Sequence, residues 1–310
     1  MDYSRFIDEQ VAQLRQTVGS ELAINALSGG VDSSVVTVLG HRALGARLRT
    51  VFVDNALMRE GEPQRVAKAF ADMGIPVEVV DAGREFLSAL AGLTDPEQKR
   101  QAITDTFYRT VFGKLVKQCG AKFLLHGTIL TDIEETLAGI KRQHNILAQL
   151  GIDPEQAYGY RVLEPLQTLR KDGVRKVAEL LGLPRDISHR IPFPGPALAA
   201  RIVGEVTEQR LATVRAATAV VEQELASTGA FQYLAVLLND YATGIRNARR
   251  EFGQIVVVRC IESTDARVAT VTELPWPTLN RLSQRITSIP GVNRCLYDLT
   301  PKPPGTVEYV

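Results

Sequence analysis

The sequence predicts an α/β protein in two parts: a doubly wound parallel sheet over residues 1–190, then a smaller α+β domain over residues 191–310. Three observations carry that expectation. A short apolar run, Leu22 to Leu27, meets a glycine turn and gives way at once to a helically periodic segment from Val35 through Leu39 to Leu44. Further strand-like runs then alternate with helical ones, a rhythm that implies right-handed crossovers between parallel strands. Finally, Phe193-Pro194-Gly195-Pro196 interrupts helix and sheet alike, which places the domain boundary near it.

Tyr3 to Val18 reads as an amphipathic helix with Phe6, Val11 and Leu14 on its apolar face, and it leads into the first strand. The loop after that strand, Ser28-Gly29-Gly30-Val31-Asp32-Ser33-Ser34, is the most informative stretch of the chain. Its two glycines let the backbone turn sharply and approach a ligand, while Ser28, Ser33 and Ser34 add hydroxyl donors. Unpaired N–H groups and the positive end of the new helix converge there, an arrangement suited to phosphate or pyrophosphate. The loop lacks the lysine and the spacing of a Walker sequence, and the dinucleotide pattern G-x-G-x-x-G is absent.

Leu48 to Val53 is the next strand, and Asp54-Asn55 follow at the edge where open α/β sheets bind ligands. Strand-end turns also use Asp and Asn for local reasons. Helix Glu62 to Met73 and strand Val77 to Val80 come next. Asp81 to Thr106 is charged and interrupted, with Lys99-Arg100 either a solvated helix face or a cationic reach toward phosphate. Helix Phe107 to Cys119 leads to strand Phe123 to His126 and a second turn, Gly127-Thr128, at the same sheet edge. Leu130 to Asp153 is a polar excursion of lid length that carries Asp132, Glu134, Glu135, Lys141, His144 and Asn145, the two glutamates suiting magnesium or a helix cap. Strand Arg161 to Pro165 and helix Lys171 to Leu181 close the first part. Beyond the break, Glu208 to Leu225 and Trp276 to Ile289 read as helices. Phe231 to Leu238, Ile255 to Ile261, Val292 to Leu299 and Thr306 to Val310 supply a small sheet.

At 310 residues the chain is long enough for two cores, and 45% hydrophobic with 23% charged residues is ordinary for a globular protein. A net charge of +1 gives no broad pull toward nucleic acid or a membrane surface. No apolar run reaches the length of a signal or membrane segment, so a cytoplasmic protein is expected. Cys119, Cys260 and Cys295 are odd in number and widely spaced, which fits reduced, buried thiols rather than zinc or redox work.

Ser28 to Ser33 fills S-G-G-x-D-S and so resembles the signature of the PP-loop ATP pyrophosphatases, which cleave ATP between its α and β phosphates. Val53 to Arg59, Phe86 to Gly92, Phe193 to Pro196, Arg201 to Thr207 and Lys302 to Glu308 extend the likeness. Together they resemble the GMP synthetases, from the ATP-pyrophosphatase part through a C-terminal dimerisation domain, without the N-terminal glutamine amidotransferase domain that many of those enzymes carry. The resemblance implies an adenine nucleotide α-hydrolase-like fold. It implies an ATP- and magnesium-dependent ligase that adenylylates O2 of XMP and aminates it with ammonia to give GMP, AMP and pyrophosphate. It also implies a homodimer, to which a separate glutamine amidotransferase subunit can deliver ammonia. On this reading Ser28, Gly29, Gly30, Val31, Ser33, Ser34 and Gly127 hold pyrophosphate, Asp54 and Asn55 take the adenosine, and Asp32 holds magnesium. Asp32, Ser33 and Lys141 form the catalytic set, and Arg100, Asp132, Glu135, His144, Lys302 and Glu308 make the acceptor site. The chain departs from the family pattern at Thr131, Thr136, Gln143, Ile191, Ala197 and Asn247-Ala248, all outside the glycine loop. A related ligase with another acceptor, and a non-catalytic nucleotide-binding subunit, are therefore the alternative expectations.

Overall fold

Strands β1 (Ala23–Ala26), β2 (Leu48–Asp54), β3 (Glu78–Asp81), β4 (Phe123–Leu125) and β5 (Arg161–Leu163) pair in the order β3-β2-β1-β4-β5. Every pairing is parallel, so the doubly wound sheet expected from the sequence is the one observed. This is a computed structural model, and it describes residues 1–137, 155–156, 159–264 and 266–309. The strand order reverses at β1, and the loops after β1 and β4 leave the sheet side by side at its carboxyl edge, the usual ligand position in such sheets.

Helix α1 (Tyr3–Val18) is capped by the Asp2 side chain, which accepts from the Arg5 N–H. Helix α2 (Val31–Leu44) starts directly at the glycine loop and is buried along most of its length, with Val35, Val36, Val38 and Leu39 almost inaccessible. It lies close on the sheet because of Gly40: a Cβ there would stand 2.7 Å from Leu125 and 2.8 Å from Leu48. One buried polar group ties these layers together. Asn25 on β1 donates to Thr37 Oγ1 (2.6 Å) on α2 and accepts from Thr50 Oγ1 (2.8 Å) on β2.

The chain divides into two compact units, and neither is one continuous stretch. The first comprises Met1–Asp54, Pro63–Ala82 and Asp105–Arg190; the second comprises Asn55–Glu62, Gly83–Thr104 and Ile191–Val310. Helix α3 (Glu62–Asp72) matches its expected span. The interrupted stretch resolves into α4 (Gly83–Leu90) and α5 (Pro96–Asp105), and the next helix opens with a π-helical segment, Thr106–Phe112, before α6 (Gly113–Cys119). Helices α7 (Leu130–Leu137) and α8 (Lys171–Leu180) complete the elements of the first unit that matter here.

In the second unit, α9 (Glu208–Leu225) buries Leu211, Val214, Val221 and Leu225, and α10 (Trp276–Thr287) buries Leu282 and Ile286. The sheet is built on a long antiparallel hairpin, β6 (Gln232–Arg246) and β7 (Arg249–Glu262), with β8 (Thr270–Val271) antiparallel and β9 (Val292–Tyr297) parallel to β7. The sequence reading found only the buried inner halves of the hairpin, because its outer halves carry no apolar run. Its turn is Asn247-Ala248 with φ of 51° and 59°, the left-handed pair of a tight hairpin. Thr306 to Tyr309 form no strand, contrary to expectation; among the described residues the tail's strand-type pairing is the backbone bridge from Lys302 to Ala269. All three cysteines are free, Cys260 buried and the other two half-buried. No helix among the described residues is long and apolar enough to cross a membrane.

Candidate active site

The glycine loop is a closed ring of local hydrogen bonds. Ser28 N–H donates to Ser33 Oγ (3.2 Å), the two hydroxyls lie 2.9 Å apart, Gly30 N–H donates to Ser28 Oγ (3.3 Å), and Ser33 Oγ donates to Gly30 O (3.1 Å). Gly29 sits at φ +75°, where a side chain would be strained. Gly30 is the N-cap of α2 and offers no side chain to the helix start, so the first-turn N–H groups of Val31, Asp32 and Ser33 have no helical carbonyl to meet. Ser34 N–H closes the first helical bond to Gly30 O, and its hydroxyl is buried without a partner. Gly127 presses against this helix start from the loop after β4: a Cβ there would lie 3.2 Å from Ser33 N and 3.3 Å from the Asp32 carbonyl carbon.

The Asp32 carboxylate is divided between two surroundings. Oδ2 accepts from Lys171 Nζ at 2.6 Å, while Oδ1 is buried and has no hydrogen-bond partner. Such an orphaned carboxylate oxygen suits a hard cation with oxygen ligands. No cluster of three or more potential ligand side chains occurs among the described residues. Magnesium fits on those terms, since it commonly takes one or two carboxylates and completes its shell with phosphate oxygens and water. Arg190 adds a second cation by donating to Gly29 O at 3.0 Å. Neither Lys171 nor Arg190 was singled out from the sequence. The available signal was position: Lys171 opens α8, where the helix dipole disfavours a positive charge, and a residue in so unfavourable a place invites a second role.

The remaining predicted residues fall in different places. Asp54 ends β2 and accepts from Ala82 N–H through its carbonyl, whereas Asn55 Oδ1 accepts from Leu57 N–H (2.9 Å), the local use of an amide in a turn. In the first unit, Asp132 caps the start of α7 by accepting from Ile129 N–H (3.1 Å), and neighbouring Glu134 pairs with Arg170. Glu135 lies on α7 with its side chain outside what is described, and Lys141 and His144 lie outside the described residues. In the second unit, Arg100 stands on α5 beside Glu97 (3.0 Å), with Lys99 turned into the interior rather than solvated.

The C-terminal tail belongs to the second unit and is held by buried cations that sequence reasoning missed. Glu308 accepts from Arg201 Nε and Nη2 (both 3.2 Å) and from Gln232 Nε2 (2.7 Å). Arg259 grips both ends of the tail, donating to Asp298 Oδ2 (2.7 Å), Thr300 O (2.7 Å) and Thr306 O (2.9 Å). Burial opposes ionisation of Asp298, but its Thr300 hydrogen bonds and Arg259 hold the carboxyl below its ordinary value. Lys302 Nζ donates to Ala266 O (2.8 Å). Arg201 and Arg259 are each 1% exposed, single charges inside apolar runs, and that placement was the sequence signal.

Comparison with known proteins accounts for both halves. Residues 3–107 match the NAD synthase family and residues 219–309 match the GMP synthase C terminal domain. The chain is 47% identical, over 310 residues and all of both proteins, to a subunit of the glutamine-hydrolyzing GMP synthase of Archaeoglobus fulgidus. The chain belongs to the GMP synthase family. The corresponding GMP synthase subunits of Methanocella arvoryzae (49% identical, covering 100% of this chain and 99% of that one) and Pyrococcus horikoshii (46%, all of both) agree. Within this GMP synthase family member, the NAD synthase match spans β1, the glycine loop and α5, and the GMP synthase match spans the hairpin and the tail.

Proposed function

We propose that the chain is the ATP-consuming, base-aminating subunit of a two-subunit GMP synthase. O2 of XMP attacks the α-phosphorus of ATP, the bond to the bridging oxygen breaks, and pyrophosphate leaves with the electron pair. Ammonia then adds at C2 and displaces AMP, giving GMP. The observation that carries this reading is the full-length likeness to relatives of that one name, which also favours it over a ligase with another acceptor or a non-catalytic subunit.

A xanthine oxygen is a poor leaving group and AMP a good one, so the protein's task is to align two anions and stabilise charge on the departing pyrophosphate. The first-turn N–H groups of α2 and the Lys171 ammonium serve that charge, and Gly29, Gly30 and Gly127 let the phosphates come near the backbone. Ser33 and Ser28 keep the loop in its ring. Asp32 would hold magnesium through its orphaned Oδ1, and the metal would supply further neutralisation of the phosphates when bound. Asp54 and Asn55 take the adenosine. Lys302 and Arg100 suit the nucleotide phosphate, and Glu308 accepts hydrogen bonds from base or ribose. Asp132 and Glu135 are acceptor-site candidates of the first unit. Lys141 and His144 complete the set.

The relatives are named as one subunit of a glutamine-hydrolyzing enzyme, which supports a separate glutamine amidotransferase subunit as the ammonia source. The cytoplasm remains the location expected from the sequence. A homodimer is the expected assembly, and the exposed apolar face of the hairpin, where Tyr241 stacks on Phe252 near Ile245, is the surface we assign to it. The test is mass-spectrometric: ATP, magnesium and ammonium with XMP or other nucleotides. AMP and pyrophosphate released with XMP alone support the reading, and equal ATP cleavage without XMP overturns it.

A further inference from the structure

We propose that Lys99 is a positioning residue of the acceptor site: its ammonium fixes the backbone from residue 199 to 204 and thereby sets the Arg201 guanidinium that grips Glu308. Lys99 is 2% exposed and stands in the first turns of α5. Its three donors meet three carbonyls, Ile202 O (2.7 Å), Gly204 O (3.1 Å) and Ala199 O (3.4 Å). Those carbonyls bracket Arg201. A buried ammonium satisfied by neutral carbonyls alone is costly to desolvate, and an apolar side chain of similar length would avoid that cost but leave the three carbonyls without this donor. What the charge adds is a fixed backbone.

Two further observations show where that rigidity goes. Arg210 holds the same segment from α9 by donating to Val203 O (2.8 Å) and Glu205 O (2.7 Å), so two cations pin the main chain on either side of Gly204. Arg201, thus placed, stacks its guanidinium over the Phe193 ring at 4.7 Å and turns two N–H groups to Glu308. Lys99 also neighbours Arg100 on the same helix, so one buried contact ties a helix bearing an acceptor candidate to the segment that orients another. Burial lowers the Lys99 ammonium to about 8; Arg210 pushes the same way and Asp95 opposes. Arg201 and Glu205 are the other charged residues of the segment that it binds.

The inference rests on XMP being the acceptor, and the experiment separates the two. Wild type, K99R and K99M are assayed as full-length chains with ATP, magnesium and ammonium while XMP or ATP is varied. K99M is expected to raise the KM for XMP about tenfold, with the KM for ATP moving less than about twofold and kcat less than about threefold. In wild type the KM for XMP is expected to rise as pH passes about 8, a rise that K99R loses because guanidinium stays charged. An unmoved KM for XMP in K99M, or KM values for ATP and XMP that rise together, overturns the inference. A wild-type KM for XMP that stays flat across this range overturns it even if neither variant folds. A wild type that releases no AMP with XMP overturns the reading beneath it, and this inference with it.

Discussion

The glycine loop and the C-terminal tail both carry candidate ligand-binding residues, yet they are built in opposite ways. Every hydrogen bond of the serine ring spans at most five positions along the chain. Glu308, by contrast, is held by Arg201 from 107 positions away and by Gln232 from 76. A ring closed by its own neighbours keeps its internal bonds through local contacts, although Arg190 and Lys171 reach the loop from 161 and 139 positions away. A tail gripped from afar depends on distant segments throughout, so damage to the two regions should differ in kind.

The comparison breaks most sharply at Asp32. Asp32→Ala removes the orphaned oxygen at the proposed pyrophosphate site, and AMP release should fall on the order of a hundred- to a thousandfold. Thermal melting should barely change, because the lost partner, Lys171, is half exposed. Next comes Arg201→Met, which strips a buried partner from Glu308 and should cost about 3 kcal/mol in denaturant unfolding while ATP binding survives. If ATP binding falls equally, the two regions are not independent. Gly127→Val pushes a side chain into the start of α2 and should cost about 1–3 kcal/mol of overpacking strain, seen as a higher KM for ATP with the KM for XMP unmoved.

Smaller effects sharpen the same contrast. Folding lowers the Lys99 pKa from 10.5 to about 8, so between those values the unfolded chain binds the extra proton. Stability from this group therefore rises with pH through that window, and the melting difference between wild type and K99M should track it. Ala248→Gly relieves a left-handed alanine in the hairpin turn and should add about 1 kcal/mol, or about 2–4 °C in melting temperature.

The same contrast explains what the sequence disclosed. The loop, the parallel sheet and the helix that follows the glycine turn were legible because glycine pairs, apolar runs and their spacing act over a few residues, whereas the order of the strands was not. Asn55 illustrates the limit: its amide serves a turn, a use that the sequence allowed alongside the ligand reading. Lys99 looked like half of a solvated pair and is buried, because the carbonyls that receive it come from a distant segment that no local pattern identifies. Ala197, one of the departures from the family pattern, sits at φ +54°, a conformation that glycine tolerates best and that no local pattern announces. The outer hairpin and the irregular tail were missed because neither offers an apolar alternation to read.

The patchwork make-up of the second unit has a consequence for synthesis. A ribosome releases Lys99 at least 100 residues before any carbonyl that will receive it, and Gly92 waits 113 residues for the Glu205 carboxylate. That unit cannot close early as its first pieces emerge, and contacts of such reach slow folding by requiring long loops to close. A fragment begun at Ile191 would be born without α4, α5 and their latch. For this half of the protein, completion of the chain comes before shape.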